Sequence, residues 1–196
     1  ELVMPAEFVS ADVEEESNLV HYSVNGTTHN CRARLLVNAT GPWANILLEK
    51  INPSPKKREF DLVAGTHIVF DTPPPRGIYY VEAPQDQRAV FVMPWKGKTM
   101  IGTTEKIFEG NPSDLLPTPE EESYLCEVAA HYFPKFTSFK RGDIDSSFAG
   151  LRVLPHASGK AFSRPRETTF HVDKKSAPRI ATIYGGKLTA FRVTAE

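Results

Sequence analysis

One segment of this 196-residue chain carries a full set of helix-start signals. At Thr118-Pro119-Glu120-Glu121-Glu122 a threonine stands at the cap, a proline presets the first turn, and glutamates face the positive end of the helix dipole. Tyr124, Leu125, Val128, Ala129 and Tyr132 then form one apolar stripe, and the stripe stops before Pro134. Most other apolar runs are short and bounded by turn residues, as strands are. Sixteen prolines against 12 glycines point to many turns and edge strands rather than a helical bundle.

The strand-like runs come in order. Phe8 to Val13 and Leu19 to Val24 lead to Asn25-Gly26, a tight-turn signal, and then to Thr27 to Cys31, which makes a hairpin. Arg34 to Asn38 is apolar on successive residues, as a strand buried on both faces is. Ala39-Thr40-Gly41-Pro42-Trp43 turns it into a helix start at Ala44 to Leu48. The Pro/Lys loop from Asn52 to Lys57 is the best internal boundary. Beyond it, Leu62 to Phe70, Gly77 to Val81, Ala89 to Trp95 and Thr99 to Thr104 are spaced as an antiparallel sheet, with Lys96-Gly97-Lys98 as one turn. Phe148 to Leu154, Thr168 to Val172 and Ile180 to Tyr184 follow, and Leu188 to Glu196 reads as a helix beginning.

Composition narrows the function classes. Lys and Arg number 23 against 24 Asp and Glu, so no basic field suits nucleic acid. No apolar run reaches the roughly 18–20 residues of a membrane span. Twelve Phe, 6 Tyr and 2 Trp supply a core, which argues against disorder. Cys31 and Cys126 make neither a disulfide framework nor a four-thiolate zinc site, and no His spacing suits a metal. A reduced, cytoplasmic protein is the expectation. The chain opens on Glu1 with no signal-like start, and both ends read as cut.

Four features carry chemistry. Tyr184-Gly185-Gly186-Lys187-Leu188-Thr189 is a strand, two glycines and a helix start, where backbone N–H groups admit an anion or a partly negative ring oxygen beside Lys187. Thr40-Gly41 is a second strand–turn–helix site. Each also reads as a plain packing turn. Arg152 is a charge inside an apolar strand, so its guanidinium needs a carboxylate or an anionic ligand. His67 lies in an apolar strand after Gly65-Thr66, as a tunable base or as a satisfied core histidine. The chain has no G-x-G-x-x-G and no nucleophile elbow. Residues alone therefore read as an anion pocket with glycine turns and name no reaction.

Six segments in order give more. Leu36 to Trp43, Gly65 to Val69, Val90 to Trp95, Ile101 to Glu105, Gly150 to Leu154 and Gly185 to Arg192 together resemble FAD-dependent glycerol-3-phosphate dehydrogenase, from about Arg32 onward. The resemblance implies an α+β fold, with a mainly antiparallel substrate-domain sheet and few helices, of the D-amino-acid-oxidase-like flavoproteins. It implies a middle piece of a longer enzyme, lacking an upstream Rossmann fingerprint and a downstream helical domain. Residues 1–51 would be part of the FAD-binding domain, 52–178 the substrate-binding domain, and 179–196 the return segment.

The same resemblance implies site residues and a reaction. Thr40, Gly41, Gly185, Gly186, Leu188 and Thr189 would lie against FAD. Arg152, Arg166 and Lys187 would bind substrate phosphate, Arg166 being preferred over Arg164 in Ser163-Arg164-Pro165-Arg166-Glu167 although Pro165 departs from the family pattern. His67 and Arg152 would be catalytic. The reaction implied is oxidation of sn-glycerol 3-phosphate to dihydroxyacetone phosphate, with hydride passing to FAD and electrons to a quinone. The fragment alone is expected to be inactive. The longer protein would be cytoplasmic, or peripheral on the cytoplasmic face of the inner membrane. Alternatives are a related flavoprotein oxidase on another phosphorylated, hydroxy or amino substrate, or a non-catalytic organophosphate-binding module.

Overall fold

The computed structural model describes residues 1–156 and 164–196 and divides into two compact units, residues 1–61 with 153–196 and residues 62–152. The chain passes from the first to the second inside one long strand and returns inside another.

In the first unit, β1 (Glu7–Val13), β2 (Asn18–Val24) and β3 (Thr27–Ala33) form an antiparallel run. Asn25 and Gly26, at φ 49° and 80°, close the β2–β3 hairpin as the Asn-Gly pair predicts. β4 (Leu36–Asn38) leads through a short 3-10 turn to α1 (Ala44–Glu49), and β5 (Ile51–Asn52) pairs parallel with β1. A second sheet has the order β12-β13-β4, with β12 (Thr168–Val172) antiparallel and β4 parallel to β13 (Ile180–Gly185). Ala11, Val20, Leu48, Ile51 and Ile180 make the core. The chain then runs through a 3-10 turn at Leu188–Ala190 into α3 (Phe191–Ala195).

Among the described residues β4 lies at the end of its three-stranded sheet, and Val37 is 53% exposed. Its second apolar face has no covering element in this unit among the described residues.

The second unit is one antiparallel sheet under one helix. β6 (Phe60–Phe70), β7 (Tyr79–Glu82), β8 (Ala89–Trp95), β9 (Lys98–Gly102) and β10 (Lys106–Phe108) take the order β10-β6-β9-β8-β7, and β11 (Ser146–Pro155) pairs with β6. α2 (Pro119–Tyr132) covers one face, starting where the sequence places it. Thr118 accepts from the Glu121 N–H and Glu121 reaches back to the Thr118 N–H, a complete capping box. Ile68, Phe70, Val90, Val92 and Ile101 meet Leu125, Val128 and Ala129 of α2 in the core. Alternation along β6 therefore sends Gly65 and His67 to the other face.

Candidate functional site

That other face carries His67 and Arg152. Cross-strand pairing puts His67 of β6 beside Gly102 of β9, Gly102 beside Phe91 of β8, and Phe91 beside Tyr80 of β7. Glycine at the second position is what lets the imidazole lie down. A Cβ on Gly102 would fall 2.1 Å from His67 Cδ2. Phe148 of β11 stacks on the same ring, with centroids 5.0 Å apart and planes 4° from parallel.

A second glycine seats the arginine. A Cβ on Gly65 would fall 2.7 Å from Nη1 and 2.9 Å from Nη2 of Arg152. Thr103 accepts a hydrogen bond from Arg152 Nη2 at 3.1 Å. Gly65 and His67 are two residues apart on one strand, so the guanidinium and the imidazole share a face and interact. Burial pushes the His67 pKa below its ordinary value, and the Arg152 cation pushes it further the same way. The neutral ring is thus favoured near neutrality. His67 Nδ1 is buried and has no hydrogen-bond partner among the described residues.

The remaining candidates belong to the first unit. Asn38, buried at the end of β4, shapes the Thr40-Gly41 turn: its Oδ1 accepts from the Thr40 hydroxyl at 2.7 Å and from the Thr40 N–H at 3.3 Å, while Nδ2 donates to the Ala44 carbonyl. Gly41 has φ 57° and open space where a Cβ would stand. Gly185 and Gly186 have φ 72° and 90°, and a Cβ would meet the Glu167 carbonyl at 2.8 Å and Thr168 Oγ1 at 2.6 Å respectively. Because β4 and β13 run parallel with Thr182 beside Asn38, both glycine turns leave the same end of the strand pair. Carboxyl ends of parallel strands are where dinucleotide-type ligands approach α/β sheets. Open space at Gly41 lets a flat group such as FAD approach that backbone, whereas the Cβ positions of Gly185 and Gly186 are filled by the chain's own Glu167 carbonyl and Thr168 hydroxyl. Lys187, Leu188 and Thr189 are exposed beyond the turn.

The two arginine candidates differ. The buried Arg164 side chain is ion-paired with Asp61, which also bonds His156 Nδ1 at 2.8 Å. The His156 hydrogen bond, with that of Arg164, holds the Asp61 carboxyl below its usual range. Arg166 is half-buried. Ser163 lies outside the described residues.

Sequence reading did not single out Gly102, Thr103, Phe148 or Asn38. The last two had local signals: Phe148 precedes Arg152 by four on a strand, hence on its face, and Asn two before Thr40 suits a side-chain turn. Gly102 and Thr103 matter through pairing across strands, which no local pattern reports.

A mixed fold with two glycine turns at one end of a parallel strand pair is compatible with a cofactor-binding oxidoreductase, and the family comparison gives the class. The family model described as FAD dependent oxidoreductase matches residues 6–192, and the chain belongs to that family. Among individual proteins, it is 37% identical over 169 residues to aerobic glycerol-3-phosphate dehydrogenase of Bacillus subtilis, covering 84% of this chain and 29% of the relative. It is 32% identical over 176 residues to D-erythritol 1-phosphate dehydrogenase of Brucella abortus, covering 89% and 35%. The crystal structure of glycerol-3-phosphate dehydrogenase from Bacillus halodurans complexed with FAD matches at a TM-score of 0.80 and 31% identity, over 97% of this chain and 36% of that one. The chain thus spans about a third of the length of the relatives it matches. No helix among the described residues is long and apolar enough to cross a membrane.

Proposed function

We propose that these residues form part of an enzyme that oxidises a phosphorylated polyol, sn-glycerol 3-phosphate, at its C2 hydroxyl to give dihydroxyacetone phosphate. The observation that carries this reading is the pairing of Arg152 and His67 on one sheet face, each over a glycine. The two relatives named above share a polyol phosphate in their names. FAD, when bound, supplies the two-electron acceptor for the C2 hydrogen.

The chain's own residues do the rest. A phosphate monoester carries about −1.5 to −2 charges near neutrality. Arg152, Arg166 and Lys187 bind and orient it, and Arg164 stands apart because Asp61 already neutralises it. Neutral His67 takes the proton from the C2 oxygen as the ketone forms, a role its lowered pKa permits at neutral pH. Thr40, Gly41, Gly185, Gly186, Leu188 and Thr189 hold FAD, with residues 1–51 and 179–196 as parts of the FAD-binding domain and 52–178 as the substrate-binding domain. Electrons then leave to a quinone, at a protein in the cytoplasm or peripheral on the inner membrane. The 196 residues by themselves are inactive, since they contain no G-x-G-x-x-G for the rest of the cofactor.

A second reading rests on the unpartnered Nδ1 of His67. With Nδ1 as the bare acceptor, the ring proton belongs on Nε2. His67 then donates to the substrate oxygen, and Arg152 stabilises the developing alkoxide.

The test is turnover of the FAD-loaded enzyme with a dye acceptor. Glycerol 3-phosphate is oxidised and free glycerol is not. Equal rates for both would end the phosphate reading.

A further inference from the structure

The backbone that carries His67 has a gap in its pairing. β6 pairs with β9 as far as His67 beside Gly102, and with β10 only from Ala64 beside Lys106. Between those points Thr66 is fully buried, and among the described residues its N–H bonds to a side chain in place of a backbone carbonyl. Thr104 fills the gap. Its hydroxyl oxygen accepts from the Thr66 N–H at 2.8 Å, and its own N–H donates to the Thr66 carbonyl at 3.3 Å.

The same hydroxyl donates to Oε1 of Glu121, in the first turn of α2. Closing the capping box uses only the other oxygen, Oε2, on the Thr118 N–H. A solvated glutamate does that job equally well, yet Glu121 is buried and spends its second oxygen on Thr104. Thr104 follows Thr103, which holds Arg152, and Thr66 precedes His67. The helix start is therefore tied to the two strand ends that bear both candidate catalytic side chains.

We propose that Glu121, acting through Thr104, is a positioning residue for His67. Its carboxylate orients the Thr104 hydroxyl so that the lone pair facing Thr66 substitutes for the missing ladder bond. The Gly65-Thr66-His67 backbone is thereby kept at the depth that lays the imidazole between Gly102 and Phe148. The catalytic meaning of this tie rests on the role given to His67 above; the tie itself does not.

Amide hydrogen exchange and imidazole NMR of the intact chain test it. In Thr104→Val the Thr66 amide exchanges about ten- to hundredfold faster, the consequence of leaving a buried donor unpaired. Core amides such as that of Val92 stay as they were, and the His67 ring protons lose the ring-current shift from Phe148. Thr104→Ser restores both signatures. Glu121→Gln gives a smaller change of the same kind, and Glu120→Gln gives none. In the FAD-loaded enzyme, Thr104→Val lowers kcat, changes KM less than about twofold and moves the pH midpoint of kcat toward that of free imidazole. Unchanged Thr66 exchange and His67 shifts in Thr104→Val overturn the proposal, as does failure of Thr104→Ser to restore them. Should Thr104→Val not fold, Glu121→Gln against Glu120→Gln decides. An absence of polyol phosphate oxidation in the unmodified enzyme defeats the functional reading and leaves the exchange result to judge the tie.

Discussion

The imidazole of His67 lies directly over the α-carbon of Gly102, so close that a Cβ there would sit 2.1 Å from Cδ2, 2.6 Å from Cγ and 2.8 Å from Nε2. Phe148 closes the other side. The ring has one seat, and a single methyl removes it. Gly102→Ala is expected to cost about 1–3 kcal/mol of stability from overpacking. Activity should fall more than stability explains. Urea denaturation beside kcat gives both numbers, and a fully active Gly102→Ala enzyme contradicts this geometry.

Thr103 holds Arg152 through one hydroxyl. Thr103→Val keeps the shape and removes the acceptor of a charged donor, worth about 1.5–3 kcal/mol. If Arg152 binds substrate phosphate, KM for glycerol 3-phosphate rises about tenfold or more, beyond any loss of folding stability from the unpaired guanidinium N–H. Steady-state kinetics with thermal melting separates the two effects.

Acid should expose His67 thermodynamically. Its folded-state pKa lies below its ordinary value of 6.5, through burial first and Arg152 second. Above 6.5 both folded and unfolded chains hold the ring neutral, and the group contributes nothing to the slope. As pH falls below 6.5 the unfolded chain takes up a proton that the folded one refuses, so stability declines until the folded pKa is reached. His67→Gln flattens that decline. His156 has the opposite sign, because its hydrogen bond to Asp61 raises its pKa. Its contribution is present below its ordinary value and lost as pH rises through the folded one. Denaturation midpoints from pH 5 to 8 for both single variants resolve the pair, and parallel curves for His67→Gln and the unmodified protein exclude the His67 shift.

The helix α2, the Asn25-Gly26 hairpin and the Lys96-Gly97 turn were legible because their signals are local: a cap, a left-handed pair, a stripe. β5 and β10 were not, since strands of two or three residues exist only through their partners. A similar division runs through the site. An arginine and a histidine inside apolar strands stand out as residue types. Their shared face, their glycine seats and the Thr66–Thr104–Glu121 tie depend on register across strands, which composition does not encode.

The glycine turns make a separate prediction. Gly186 sits at φ 90°, and a Cβ would meet Thr168 Oγ1 at 2.6 Å. Gly186→Ala combines that contact with a backbone state costing an alanine about 1–2 kcal/mol. If the turn lies against FAD, the enzyme's FAD dissociation constant rises about tenfold, read by fluorescence on titration, with secondary structure intact. An unchanged constant would place the cofactor elsewhere.

The most direct measurement is anaerobic stopped-flow absorbance of the FAD-loaded enzyme mixed with sn-glycerol 3-phosphate, run for the unmodified protein, Arg152→Leu and His67→Gln. Bleaching of the flavin band that saturates with substrate in the unmodified protein, and falls at least about a hundredfold in Arg152→Leu, is the predicted result, about 2.7 kcal/mol at 1.36 per decade. His67→Gln then tells proton acceptor from donor, a large loss marking the first and near-normal bleaching the second. Flavin that stays oxidised with every polyol phosphate, or bleaches equally fast in Arg152→Leu, contradicts the account.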